Sequence, residues 1–312
     1  MFRMHAGVSR GAAAPETQLK TTDKPNVPDV PDIDAAKEEL GTFAQRNGAL
    51  SFGVAAIDGF EDAPEGFRPS DLLPGAQSVV VVGGNPPRAG DWLSPLVELQ
   101  ETMGTSERTN ALGLKIAKFI EAHYGYYALF VPPGLNKGNR PFLSVMMAAE
   151  LAGCGSRSLA GPILNTEYGM LFYSAIITTL PLSPDGPLET PACPAPECLE
   201  MWEEQATTPC LNVCPIDQGG CLGGEVADGK FTARRYDRAR CTTRVHTHWM
   251  PGFQKALGAA LDEGDKDKRK MILYSSFFTR SLWSLTYSAQ SQGQCYECIR
   301  VCPVGKEYRT KK

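Results

Sequence analysis

The segment Cys295-x-x-Cys298-x-x-x-Cys302-Pro303 constrains this chain more than any other, because spacing this close lets successive thiolates wrap a single polynuclear centre. Upstream, Cys210-x-x-x-Cys214-Pro215 repeats the second half of the run, and Cys193 and Cys198 precede it. Ten cysteines in a chain with no apparent export signal argue against a disulfide framework, since a reducing compartment keeps thiols free for metals. The region around them therefore relies on a metal centre more than on a greasy core.

Two cysteine-proline clusters are the pattern of two-cluster ferredoxins, in which the cysteine before proline serves the other [4Fe–4S] cluster. That crossover assigns Cys193, Cys198, Cys210 and Cys302 to one cluster, and Cys214, Cys295 and Cys298 to the second, which leaves one ligand to find, with Cys241 as the choice. The first set departs from compact spacing, with four residues between Cys193 and Cys198 and eleven between Cys198 and Cys210. Either an inserted loop carries Cys198 back or Cys221 substitutes for one member. Zinc also uses C-x-x-C pairs, but a repeated C-x-x-x-C-P is uncommon in zinc ribbons, which favours iron–sulfur. Cys154 reads as a small buried hydrophobe.

With 312 residues the chain has room for two domains. A formal charge of −4 with dispersed cations gives no electrostatic case for nucleic acid or an anionic membrane, so a small molecule and a protein partner are expected. No run of about 18 apolar residues occurs. Residues 1–32, rich in Pro, Ala, Thr and charge, read as a flexible leader without a secretory core, which places the protein in the cytoplasm.

A first helix is expected from an Asp34 cap, carrying Leu40, Phe43 and Ala44 to a stop at Asn47-Gly48, with a strand at 51–58. SVVVVGG at 78–84 reads as a strand buried on both faces. An amphipathic helix over 109–123, a strand over 126–131, a helix over 141–152 and a strand over 170–180 complete an alternating order that implies an α/β layer structure. Past Pro184 the texture becomes prolines, cysteines and charged turns with little regular patterning, which puts a boundary near Leu188.

Several stretches resemble the cobalamin-dependent iron–sulfur reductases, the reductive dehalogenases and epoxyqueuosine reductase: LLPGAQSVVVVGG at 72–84, VPPGLNKGNRPFLSVMMAAELAGCGSRS at 131–158, TTLPLSPDGPLE at 178–189, RARC at 238–241, and CYECIRVCP at 295–303. The resemblance spans about 72–303 and is closest to reductive dehalogenase-like proteins. It implies an α/β (α+β), nitroreductase-like layer domain over 33–187 that binds a corrinoid base-off, followed by a ferredoxin-like domain over 188–312 with two [4Fe–4S] clusters. RARC sits where these families place an isolated cluster ligand, which is why Cys241 is chosen. The activity implied is corrinoid-dependent reduction, foremost reductive dehalogenation of an organohalide. A tRNA-modifying epoxyqueuosine reductase-like enzyme and a non-catalytic electron carrier or corrinoid-handling protein are the alternatives.

Epoxyqueuosine reductases resemble this chain before Pro141 but carry an aspartate there as proton donor. Here the neighbourhood reads Lys137, Gly138, Asn139, Arg140. The dehalogenases pair a tyrosine with a cation, which makes Tyr168 and Tyr173 the preferred donors among Tyr124, Tyr126, Tyr127, Tyr168 and Tyr173, with Arg140, Lys137 or Arg157 as the cation. Dehalogenases usually have an acidic residue where Thr179 stands. Asn139, Gly155, Ser156 and Gly161 are the residues expected against the corrinoid. His123 reads as a packed histidine, while His246 and His248 follow Cys241 closely enough to tune a cluster. Arg234, Arg235, Arg238, Arg240 and Arg244 form a cationic run suited to an acidic ferredoxin or flavodoxin as electron donor.

Overall fold

The computed structural model describes residues 32–84, 93, 107–131, 136–137, 140–214, 220–237, 240–241, 250–287 and 296–310. Helix α1 (Ile33–Arg46) is capped two residues earlier than expected: the Asp32 carboxylate accepts the N–H groups of Asp34 at 2.9 Å and Ala35 at 3.3 Å. Asp34 thus lies inside the helix, where an acid in the first turn also suits the helix dipole. Strands β1 (Ala49–Ala56) and β2 (Ser78–Gly84) follow. Helix α2 (Glu107–Phe119) runs into a π-turn over Ile120–Tyr124 and ends at Gly125, whose φ of 69° accommodates the left-handed stop. Then come β3 (Ala128–Val131), α3 (Val145–Leu151) and β4 (Phe172–Thr178).

These strands form one sheet in the order β1-β2-β4-β3, and every neighbouring pair is antiparallel. Layers are present as the alternating order implies, yet the sheet is not the parallel one such an order usually builds. The 57–77 connection contains only the short helical turns Asp58–Phe60 and Pro69–Leu72, so the chain reverses into β2 without a crossover helix.

Alternation along β2 divides its valines between two cores. Val79 and Val81 pack with Phe60, Leu143, Ala148 and Ala149 under α3, whereas Val80 and Val82 pack with Leu40, Ala44, Leu112 and Ile116 under α1 and α2. All seven residues of the strand are buried, and each valine contributes ~1.5–3 kcal/mol by leaving water. In β4, Ala175 and Ile177 join the first core and Ile176 the second. The sheet is consequently rigid enough to hold a site on its α3 side.

A third core collects Leu159, Ala160, Leu164 and Met170 together with Cys193, Cys198, Cys221, Cys241 and Ile299. Beyond Pro184 the chain is more regular than its composition suggests. Helices α4 (Pro196–Gln205) and α5 (Pro209–Asn212) each begin with a proline at N1, where its missing N–H costs nothing. A β-hairpin follows, β5 (Leu222–Ala227) with β6 (Lys230–Tyr236). Its turn residues Asp228 and Gly229 have φ of 51° and 69°, the left-handed pair a two-residue hairpin turn requires. Helices α6 (Met250–Asp262), α7 (Lys266–Leu273) and α8 (Ser276–Tyr287) pack on one another, and α9 (Glu297–Arg300) and α10 (Lys306–Thr310) close the described chain.

Candidate cluster and cofactor site

Four separate devices bring Cys193, Cys198, Cys210 and Cys302 to one small closed cavity, whose other lining includes Leu159, Leu164, Ala195, Phe231 and Ile299. Cys193 ends the loop from the sheet, and its neighbour Ala192 is tied back by its N–H donating 2.7 Å to the Ser156 hydroxyl. Cys198 and Cys210 sit in the first turns of α4 and α5. Cys302 follows α9, in a turn held by buried Arg309, which donates to the carbonyls of Cys302 and Val304, the latter at 2.7 Å. Cys198 lines this cavity with the other three, and Cys221 is not among its lining residues.

Burial raises all four thiols. Cys198 is pushed up to about 11 and Cys302 to about 12, while Cys193 and Cys210 rise for the same reason. The opposing pulls are local donors: the Leu159 N–H toward Cys193, the Thr208 hydroxyl 3.2 Å from the Cys210 sulfur, and the Arg309 guanidinium near Cys302. Mutually facing, buried thiols are costly to ionise alone, and a thiophilic cationic centre removes that cost. Soft sulfur donors around a closed void fit an iron–sulfur cluster; among the described residues no three His, Cys, Asp or Glu side chains converge as they would on one metal ion.

A second group forms at the base of the hairpin. The Cys214 and Cys221 sulfurs lie 3.6 Å apart, the Cys221 N–H donates to the Cys214 sulfur at 3.2 Å, and the Cys221 thiol also meets that of Cys241. The two strands return the chain so that the Asp237 N–H donates to the Cys221 carbonyl at 2.8 Å, and the Cys241 N–H in turn to the Asp237 carbonyl at 3.0 Å. Cys298, expected with this group, lines the first cavity. Cys295 lies outside the described residues, as do His246, His248, Arg238 and Arg244.

Against the wall of the first cavity stands a larger one of about 470 Å³, within the range of small-ligand sites. Ser158, Leu159 and Ala160 line both. Its remaining surface is mostly apolar, from Val145, Met146, Ile163, Met170 and Phe172, with Arg157, Arg234, Tyr173, Tyr236 and Tyr296 as polar groups. Gly161 adopts φ of 100°, and a Cβ there would meet nothing nearer than the Tyr236 ring at 3.9 Å, so the wall is open at this position.

The residues expected against a corrinoid divide. Gly161 lines the large cavity; Gly155 and Ser156 are not among its lining residues. A Cβ on Gly155 would stand 2.5 Å from the Leu164 carbonyl, so glycine serves close packing there, and Ser156 anchors Ala192. Asn139 lies outside the described residues, and so does the Arg140 side chain. Of the two preferred tyrosines, Tyr173 lines the cavity and Tyr168 does not; Tyr168 packs edge-on against Tyr308 at 5.1 Å. Tyr173 donates its hydroxyl proton to the Cys154 carbonyl at 3.1 Å, and burial raises its pKa. No described cation offsets that rise in the way the tyrosine–cation pairing supposes. Arg157 does reach the cavity, paired with Glu150 at 3.5 Å.

The remaining expectations settle into packing. His123 stacks on Phe119 at 4.9 Å and pairs with Glu39 at 3.2 Å. Cys154 is buried between Val81 and Ala152. The sequence reading missed Tyr296, Tyr236 and Arg234 as cavity residues. Tyr296 had a signal, since it sits between two cysteines of the run; Arg234 was read only as part of a cationic surface.

No family model matches this sequence, and no curated protein does. Among solved structures, a B12-dependent reductive dehalogenase shares 18% identity at a TM-score of 0.50, over 88% of this chain and 38% of that one. A catabolic reductive dehalogenase in complex with 3-bromo-4-hydroxybenzoic acid gives 18%, 0.50, 87% and 38%. Epoxyqueuosine reductase with an epoxyqueuosine-modified tRNA stem loop gives 18%, 0.48, 90% and 68%. The chain spans 38% of the dehalogenase chains it matches. The likeness at a TM-score of 0.50 establishes a shared fold.

Proposed function

We propose that this chain is a corrinoid-dependent reductase that draws electrons through two [4Fe–4S] clusters and, of the reactions open to it, reductively dehalogenates an organohalide. One observation carries this reading: a small cavity lined by Cys193, Cys198, Cys210, Cys298 and Cys302 and a ligand-sized cavity share the wall Ser158–Leu159–Ala160. Electrons arriving at the thiol-bound centre need cross only that wall. The proposed division is a corrinoid and substrate domain over 33–187 and a two-cluster domain over 188–312.

Cys193, Cys198, Cys210 and Cys302 would hold the first cluster, and Cys214, Cys241, Cys295 and Cys298 the second. A corrinoid would lie against Gly161 and its neighbours, and when bound it supplies low-potential two-electron reduction of a carbon–halogen bond. The chain's own work is enclosure and proton supply. Leu159, Ile163, Met170 and Phe172 exclude water, and Arg157 and Arg234 offer positive charge to an anionic group. Tyr173 would be the proton donor, its hydroxyl first releasing the Cys154 carbonyl to which it donates. Its buried, engaged hydroxyl is also the observation that favours the second reading, a non-catalytic electron carrier.

Anaerobic reconstitution of the full chain with iron, sulfide and hydroxocobalamin tests the proposal. Stoichiometric corrinoid retention and halide release from a halophenol under a low-potential donor are expected. A chain with clusters but no retained corrinoid overturns the reductase reading and leaves the electron carrier.

A further inference from the structure

We propose that Arg309 is a fixed cation that raises the reduction potential of the first cluster, so that an electron entering the chain settles beside the large cavity. This rests on the assignment of Cys193, Cys198, Cys210 and Cys302 to one cluster. All four line the same small cavity, so the donor set a cubane needs is present there. Cys298 lines it too, and the crossover spacing sends that residue to the other cluster.

Arg309 on α10 is 6% exposed, a position that guanidinium groups seldom take. It reaches back over the turn that carries Cys302 and donates to the carbonyls of Cys302 and Val304, the latter at 2.7 Å. That turn has no room to give way. Gly305 and Gly169 cross so closely that a Cβ on Gly305 would stand 2.4 Å from the Gly169 nitrogen. A Cβ on Gly169 would stand 2.7 Å from the Val304 carbonyl oxygen and 3.3 Å from Nη1 of Arg309. The charge is therefore held in one place beside the Cys302 backbone, walled from water.

Bonding to two carbonyls asks only for a donor; charge is what this donor adds. Burial hinders ionisation of the Cys302 thiol and the guanidinium eases it, while Cys302 in turn favours the charge that burial disfavours on Arg309. The same attraction acts on a cluster held by that sulfur. One-electron reduction adds a negative charge, and a cation fixed nearby in low-dielectric surroundings stabilises the reduced form more than the oxidised one. Arginine keeps its charge across the working pH range, so the effect is permanent. Ser158, Leu159 and Ala160 separate this cavity from the large one, so the cluster favoured in this way is the one that faces the bound ligand.

The full chain and its Arg309→Gln and Arg309→Lys variants are reconstituted anaerobically, assayed for iron and acid-labile sulfide, and titrated potentiometrically by EPR. All three should hold about eight irons, the content of two cubanes. The first cluster's midpoint is identified as the one lost or displaced in Cys302→Ser. Arg309→Gln should lower that midpoint by at least a tenfold change in the reduction equilibrium, about 59 mV for a one-electron couple, and leave the other unmoved. Arg309→Lys, which keeps the charge without the guanidinium fork, should recover most of the shift. Unmoved midpoints in Arg309→Gln overturn the proposal, as does an equal shift in Arg309→Lys. About four irons in both variants would make Arg309 a brace needed for assembly and would equally overturn it. A parent chain that takes up no iron and sulfide would instead overturn the cluster assignment beneath it.

Discussion

Gly83 faces Tyr173 directly across the β2–β4 ladder, and the ring lies over it. A Cβ at Gly83 would stand 2.6 Å from Cε1 and 2.9 Å from Cδ1 of Tyr173, and 3.2 Å from Cδ1 of Leu171. Contact between carbons wants ~3.5–4.0 Å, so in Gly83→Ala the ring must withdraw by about 1 Å. The ring is buried, and its hydroxyl already reaches the Cys154 carbonyl at 3.1 Å, so withdrawal strains or breaks that bond. Overpacking of this kind costs ~1–3 kcal/mol and the hydrogen bond ~0.5–1.5 kcal/mol, offset by ~0.5–1 kcal/mol as alanine loses less backbone entropy than glycine. The net expectation is a loss of about 1.5–3 kcal/mol, or roughly 3–10 °C in Tm at the size of these domains. Thermal unfolding of the reduced full chain would measure it, alone and in a Tyr173→Ala background. Without the ring, Gly83→Ala should cost under about 0.5 kcal/mol, leaving a coupling of roughly 1.5–3 kcal/mol in the cycle. An equal penalty in both backgrounds would refute the argument that the ring, rather than the backbone or Leu171, is what glycine accommodates.

Arg309→Met removes the guanidinium that holds the Cys302 and Val304 carbonyls, and should destabilise by about 2–4 kcal/mol, since each charge-assisted bond is worth ~1.5–3 kcal/mol; the first cluster's iron should be lost faster to a chelator, and an unchanged rate counts against the role. Gly229→Val puts a β-branched residue at φ of 69° and should open the hairpin, reducing iron from about eight toward four per chain; full iron content would show that the second group does not depend on the turn. Burial pushes the Cys154 thiol up to about 12 from an ordinary 9.0. With the folded value above the unfolded one, its contribution to stability is whole below pH 9 and is lost as pH rises toward 12, so Tm should fall less steeply over that window in Cys154→Ala than in the parent.

Much of the sheet was legible because periodicity reports burial directly: four consecutive valines flanked by glycines can hardly be anything but a two-face-buried strand. Strand direction was not legible, since it depends on whether the 57–77 segment crosses over or folds back, and that segment has no long apolar pattern to announce either. The first cysteine set follows from crossover spacing, and Cys198, with four residues between it and Cys193, arrives through the proline-started turn of α4. The hairpin was present in the sequence as Asp228-Gly229 between alternating residues, a strong local signal, but it was masked by glycines and arginines that read as irregular. Missing it hid the one device that carries Cys241 back to Cys221 across nineteen intervening residues. The large cavity's polar groups were hardest to foresee, because Arg234, Tyr236 and Tyr296 come from segments distant in sequence and meet only at a wall built by 157–163.

Leu159 belongs to that wall on both sides, and a Cβ on Gly224 of the hairpin would stand 2.4 Å from its Cδ1. An engineer wishing to admit bulkier molecules would trim this side chain first, and would thereby thin the barrier over the sulfur-lined chamber while loosening the hairpin's seat. Under the proposed function, a directed-evolution campaign that trims this leucine for wider substrate scope should be expected to meet faster loss of the first cluster in air as its cost.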